Sequence, residues 1–254
     1  MPQHEQQQGK YRAPALQKGL EILELLAGAA DAMPMVDISD ALGRSVSEIF
    51  RMLQVLEQRQ YISRSGEGYR LTNRLFALGM AQPLTQDLLG NALPVMRELA
   101  KLTRQSCHLA MASGAAMVVV AGVESPGLLG FAVRTGYQRP LIHSASGHIL
   151  MAFQSRSGRD EMFRAADLAH LQFDRVAFSD KLENVKSAGY ITMPSPMLTA
   201  ITDISAPILK ADVAIAALTM PFVDGPGTPL GMDDAREVLL DMTATVTRSL
   251  NVSS

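Results

Sequence analysis

A chain of 254 residues that is 47% hydrophobic and 19% charged holds enough apolar material for two packed cores, which excludes a disordered protein. The formal net charge is -2, so no global basic excess points to a polyanion, and the single cysteine, Cys107, excludes an internal disulfide or a multi-cysteine zinc site. The longest strongly apolar stretch, residues 115–123, is far below the ~20 residues a membrane span needs, so a soluble, cytoplasmic protein with no membrane partner is expected. Residues 1–12 are rich in Gln and lack an apolar run, which predicts a disordered tail rather than a signal peptide.

Residues 15–27 are predicted to form a first helix, with Leu16, Leu20, Leu23 and Leu26 as its apolar stripe and Pro14 near its first turn. A loop follows to Pro34. Residues 37–57 then read as two helices around a tight turn. Ile38, Ala41 and Leu42 share one side of the first, and Gly43 closes it, since glycine takes a positive φ without steric cost. Ser45 and Glu48 stand at capping-box spacing, so a new helix starts at Val46. Its apolar positions Ile49, Met52, Leu53 and Leu56 recur at helical spacing and face inward, leaving Ser47, Phe50, Arg51 and Gln54 outward. Two alternating strands follow, from Tyr61 to Leu71, around Ser-Gly-Glu-Gly. Helix, glycine turn, polar-faced helix and basic-edged hairpin make a winged helix-turn-helix, with double-stranded DNA as partner. In this arrangement Arg51 is the candidate for a bidentate guanine contact, Ser45, Ser47, Phe50 and Gln54 share its face, and Arg44, Arg64 and Arg70 are placed for phosphates. Glu48 is expected to serve the cap rather than a base. Residues 1–80 carry nine Lys/Arg against nine Asp/Glu, yet residues 44–74 carry six arginines against three acids. A module of that modest excess binds weakly alone, which predicts a homo-oligomer offering two.

Thr72 and Asn73 are positioned to cap a short helix at 74–80, which Gln82-Pro83 ends. A second helix is expected over 85–103, with Leu88, Leu89, Ala92, Val95, Leu99 and Leu102 apolar and an interruption at Pro94. Beyond Gln105 the hydrophobic period changes to two. Strands are predicted at 107–112, 116–123 and 129–133, then helices at 146–153, 159–166 and 180–188, the last with Ser179 as N-cap and Gly189 as its stop. An antiparallel pair at 204–209 and 213–220 and a helix at 233–250 complete an α+β sensor-like domain, its first and last helices on one face of the sheet.

The motifs Gly-Arg-Ser-Val-Ser-Glu-Ile-Phe-Arg-Met-Leu, Tyr69-Arg-Leu71 with Leu78-Gly79, Val123-Glu-Ser-Pro126, Ser144-Ala-Ser-Gly-His-Ile-Leu-Met-Ala152, Ser187-Ala-Gly-Tyr190 and Ser205-Ala-Pro207 follow in an order and spacing that resembles the IclR family of bacterial transcriptional regulators. The resemblance runs from about residue 13 to 250. It implies a winged helix-turn-helix domain at 13–72, a linker helix at 73–84 and an effector-binding domain of GAF/PAS-like α+β fold at 85–254. It further implies a palindromic operator bound by a dimer or tetramer, a small-molecule effector and no other cofactor. Matched residue by residue, it assigns the effector pocket to Phe131, Arg139, His143, Ser144, Ala145, Ser146, Gly147, Asp203 and Thr219. Small residues at a helix start expose backbone N–H groups that favour an anionic group such as a carboxylate. The chain departs from the family at 197–203, where many members have a Gly and a Cys and this chain has Ala200 and Asp203. An acid there favours a polyol, a sugar acid or a cation over a simple anion.

His108, His143 and His148 are too scattered for a metal-ligand pattern, and Cys107, in an alternating apolar strand, reads as a buried inert thiol. Two other classes fit parts of the chain. One is a small-molecule-binding or hydrolytic protein using Ser144 or Ser146 with His143 and Asp203, its N-terminal domain only dimerising; it lacks a nucleophile elbow. The other is an adaptor that docks a protein on Phe50 and Arg51.

Overall fold

The computed structural model describes residues 13–127, 130–195, 198–225 and 227–252, so the N-terminal tail expected at 1–12 lies outside the described residues. The chain divides into two units, Met1–Thr85 and Gln86–Ser254.

The first unit contains α1 (Pro14–Gly28), β1 (Met33–Pro34), α2 (Met35–Leu42), α3 (Val46–Gln58), β2 (Ile62–Ser65), β3 (Gly68–Leu71) and α4 (Arg74–Met80). Its core joins Ile22 and Leu26 of α1 to Ile38 of α2, Ile49 and Leu53 of α3, and Ile62 and Tyr69 of the hairpin. Each such buried side chain contributes ~1.5–3 kcal/mol. Two expectations are corrected. Leu16 and Leu20 are 64% and 50% exposed, because α1 is buried only over its C-terminal half, through Ile22 and Leu26. The segment before α2 is not all loop: Met33 and Pro34 pair antiparallel with Tyr69 and Gly68, giving a three-stranded sheet of order β1-β3-β2. Gly68 permits that pairing, since a Cβ there would lie 2.8 Å from the carbonyl carbon of Ala32.

The second unit is built on a six-stranded antiparallel sheet of order β6-β5-β4-β9-β8-β7. The strands are β4 (Cys107–Ser113), β5 (Ala116–Val123), β6 (Gln138–Pro140), β7 (Ile191–Pro194), β8 (Ile201–Lys210) and β9 (Val213–Val223). One face carries α5 (Pro83–Thr103) and α9 (Met232–Val252), whose Leu88, Met96, Leu239 and Val246 pack on Leu109, Ile204 and Leu218. The other carries α6 (Ala145–Ala152), α7 (Arg156–Leu168) and α8 (Arg175–Ala188), packed on Ala110, Val119 and Ala217. The strand period of two divides neighbours between these faces. Leu218 belongs to the first core and Ala217 to the second, and His108 and Thr219 lie opposite each other on the α6 side.

Several boundaries differ from expectation for physical reasons. Helix α5 runs unbroken through Pro94. Both Pro94 and Gly90 are exposed, so the carbonyl that loses its N–H partner faces water. Leu102, expected on its apolar stripe, is 42% exposed. The strand expected at 129–133 is not formed: residues 130–133 are irregular and Leu129 lies outside the described residues. The edge strand is β6 instead, set by the register Ala116↔Pro140 after a turn in which Gly136 takes φ 86°. Helix α8 starts five residues earlier than the predicted start, at Arg175 rather than 180, because the Asp174 carboxylate accepts the N–H groups of Val176 and Ala177 at 2.9 and 3.1 Å. Ser179 sits inside that helix, its hydroxyl donating to the Arg175 carbonyl at 2.7 Å. Gly189 ends α8 with φ 85°, as its sequence position implies.

Candidate DNA-reading face and effector pocket

The turn between α2 and α3 is held by local bonds. Gly43 adopts φ 59°, the Arg44 N–H donates to the Ser39 carbonyl at 3.0 Å, and the buried Ser39 hydroxyl donates to the Arg44 carbonyl at 2.6 Å. Ser39 is a residue that sequence reasoning missed; its signal was a polar side chain beside the inward Ile38. At the start of α3 the capping box is made. The Glu48 carboxylate accepts the Ser45 N–H at 3.3 Å and the Ser45 hydroxyl at 3.0 Å, and Lys18 of α1 pairs with its other oxygen. Lys18, then Ser45, hold the Glu48 carboxyl down to about 2. Glu48 is thereby committed to the protein, and Lys18 anchors α1 to the α3 N-terminus.

The outer face of α3 presents Ser47, Phe50, Arg51 and Gln54, all exposed. Among the described residues Arg51 and Arg70 make no ion pair, whereas Arg44 lies 3.4 Å from Glu21 and Arg64 lies 3.7 Å from Glu57. Arg64 also donates to the Tyr69 hydroxyl at 2.8 Å. Exposed pairs of this kind are weak and exchange readily for a phosphate. The hairpin therefore holds Arg64 in place without neutralising it.

In the second unit a small cavity of about 30 Å³ opens against the start of α6. Of the residues expected there, Phe131, Arg139, Ser144, Ala145, Ser146, Asp203 and Thr219 line it. His143 and Gly147 do not. His143 is exposed and offers only its carbonyl, to Arg139 Nε at 2.8 Å, while Gly147 is buried against the backbone of Leu141. His108, Met117, Val133, Tyr137 and Ser195 line the cavity as well and were not expected. They come from strands and loops whose sequences carry no pocket signature, except that His108 is a polar residue in an inward strand position.

The polar lining is largely paired. Ser144 caps α6, its hydroxyl accepting the Gly147 N–H at 3.1 Å. Ser146 and Ser205 both hydrogen-bond the Thr219 hydroxyl, at 2.8 and 2.7 Å. The hydrogen bonds of Ser144 and Ser146 among the described residues go to the Pro140 carbonyl, the Gly147 N–H and the Thr219 hydroxyl, none of them a histidine. Burial raises the Asp203 carboxyl to about 6, opposed by a Ser195 hydrogen bond and the charge of Arg139. Burial also pushes the Cys107 thiol up to about 12, and its Sγ contacts the Met96 carbonyl at 3.5 Å, as an inert core thiol should.

The Asp203 shift has a signed consequence. A carboxyl whose folded pKa stands above its unfolded value stabilises fully below about pH 4, and that contribution is lost as pH rises through about 6. Asp203→Asn is therefore expected to be more stable than the parent at pH 8, by ~1–3 kcal/mol, and to lose that advantage near pH 4. Urea unfolding of both proteins at the two pH values measures the difference, which also cancels the opposite acid sensitivity of buried His108 and His148.

A winged helix-turn-helix followed by an α+β domain with a small cavity is the organisation of a DNA-binding transcriptional regulator. The IclR helix-turn-helix domain matches residues 15–66, and the bacterial transcriptional regulator IclR C-terminal domain matches residues 83–244. The chain belongs to the IclR family of transcriptional regulators. It is 27% identical over 208 residues to the HTH-type transcriptional regulator KdgR of Dickeya chrysanthemi, covering 79% of this chain and 68% of that one. It is 27% identical over 141 residues to the HTH-type transcriptional repressor AllR of Escherichia coli K12, covering 55% and 52%. An IclR homolog of Microbacterium hydrocarbonoxydans, solved in complex with 4-hydroxybenzoate, shares the fold with a TM-score of 0.76 at 22% identity, over 94% of this chain and 100% of that one. No helix among the described residues is long and apolar enough to cross a membrane.

Proposed function

We propose that this protein is a repressor of a catabolic operon, bound to a palindromic operator as a dimer or tetramer and released or repositioned when a small organic acid, sugar acid or polyol enters the pocket beside α6. Residues 13–72 read the DNA, 73–84 link, and 85–254 bind the effector. The observation that carries the reading is the outer face of α3, where Arg51 stands exposed beside Ser47, Phe50 and Gln54 and makes no ion pair among the described residues, while Glu48 is withdrawn into the cap. The repressor sign follows AllR, which is named a repressor, and the acid class follows the N–H groups of α6 and the 4-hydroxybenzoate held by the Microbacterium protein. Exposed Leu16 and Leu20 on α1, and Leu75, Phe76 and Leu78 on α4, offer apolar surface to a second copy.

Footprinting on the DNA upstream of the protein's own gene tests the reading. Two protected half-sites with dyad symmetry, whose centres lie ~10–10.5 bp or a multiple apart, are expected. Uniform coating without half-sites would contradict it. Arg64→Ala should weaken binding to all sequences alike and flatten the dependence of log K on log salt by about one. A change confined to one base pair would instead place Arg64 in the groove.

A further inference from the structure

One buried polar atom of the cavity lining, Nδ1 of His108, has no hydrogen-bond partner among the described residues. The residue is 4% exposed. Its neighbours are engaged: Ser146 and Ser205 with Thr219, Asp203 with Ser195, and Arg139 with the His143 carbonyl. His148 also leaves Nδ1 unpaired, but its Nε2 meets the Ile142 carbonyl at 2.9 Å and its ring packs on Phe178 away from the cavity. Of these two, His108 is the one that lines the cavity.

We propose, resting on the regulator reading above, that His108 selects the effector by reading a hydroxyl. The pocket takes a short 2- or 3-hydroxy carboxylate, its carboxylate at the first turn of α6 and its hydroxyl hydrogen-bonded to the His108 ring.

Three features support this class. Burial keeps the imidazole neutral near pH 7, with its pKa down at about 4, so the ring offers one N–H and one acceptor nitrogen. A hydroxyl, both donor and acceptor, satisfies either tautomer, whereas a methylene leaves the ring unpaired and a second carboxylate meets Asp203. His108 is directly opposite Thr219 across β4 and β9, a spacing that places Cβ atoms ~4.5–5.5 Å apart, and Thr219 is hydrogen-bonded to Ser146 in the first turn of α6. Thr219 thus links the position of His108 to the first turn of α6 through one hydrogen bond. The cavity of about 30 Å³ admits short ligands with the least rearrangement.

Calorimetric titration of the full chain with lactate, 3-hydroxypropionate and propionate tests the proposal, the three acids being close in size and equal in charge. At least one hydroxy acid should bind about tenfold or more tightly than propionate, since a buried group left unpaired rejects the analogue lacking its partner. His108→Leu should abolish that preference, the three acids then binding alike, and His108→Gln, which keeps a donor and an acceptor, should retain part of it. The 15N resonances of the His108 ring should move with the preferred acid and stay with propionate. Equal binding of the three acids, no binding of any, or a preference that survives His108→Leu would overturn the proposal. Binding of the same preparations to their upstream DNA separates the two readings. Specific DNA binding without hydroxyl preference defeats this inference alone, while a His108-dependent preference without specific DNA binding defeats the regulator reading.

Discussion

Gly147→Ala is expected to destabilise the effector domain by ~3–5 kcal/mol, the upper range for a single core substitution. A Cβ at this position would lie 2.1 Å from the Leu141 carbonyl oxygen, 2.5 Å from its Cα and 2.6 Å from its carbonyl carbon. All three are backbone atoms of the 3-10 turn Leu141–His143 that delivers Ser144 to the start of α6, so no side chain can swing aside. Either the turn or the helix must move by about an ångström, and interiors packed to crystal density resist such shifts. Gly90→Ala provides the control, since nothing lies within 4 Å of its added Cβ and it is exposed in α5, where alanine is the better helix former. Urea unfolding followed on the second unit should show a large loss for Gly147→Ala and none for Gly90→Ala. A midpoint unchanged in Gly147→Ala would mean that the α6 entry is looser than described.

The second large effect falls on DNA binding. Arg51 projects from the exposed face of α3 with no ion pair among the described residues, so its guanidinium fork is available to the O6 and N7 of a guanine without first leaving another partner. Arg51→Ala should cost ~1–3 kcal/mol, or roughly five- to 150-fold in affinity, and relax the preference at one base pair of each half-site. Competition binding with operators substituted at each position measures both. Retained affinity and retained base preference would remove Arg51 from the reading role. The contrast with Arg64 is informative: Arg64 is steadied by Tyr69 and Glu57, suited to a fixed phosphate rather than a base.

What was legible in the sequence was local. Gly43, the Ser45–Glu48 box and the helical spacing of Ile49 and Leu53 each express a rule that acts within four residues, and the structure follows them. Gly189, at φ 85°, closes α8 in the same way. What was not legible depends on distant partners. Lys18 reaches Glu48 across thirty residues, and Met33-Pro34 becomes a strand only because Gly68 lets β3 approach. At α8 two capping residues competed, and Asp174 with two N–H bonds prevailed over Ser179, whose hydroxyl bonds backward within the helix. The pocket divides likewise. Its α6 edge was visible as a run of small residues, whereas His108, Met117 and Tyr137 join it only through the pairing of β4, β5 and β6.

In the proposed regulator, one chain couples DNA reading to a small ligand. The most direct test is equilibrium binding to its own upstream DNA across a salt series, with and without a ligand of the pocket. Sequence-specific binding is expected whose log K falls steeply and linearly with log salt, displaced to weaker affinity by the preferred hydroxy acid in the parent, while a His108→Leu variant needs about tenfold or more of that acid for the same displacement. Binding that distinguishes no sequence at any salt, or specific binding that no pocket ligand alters, would contradict it.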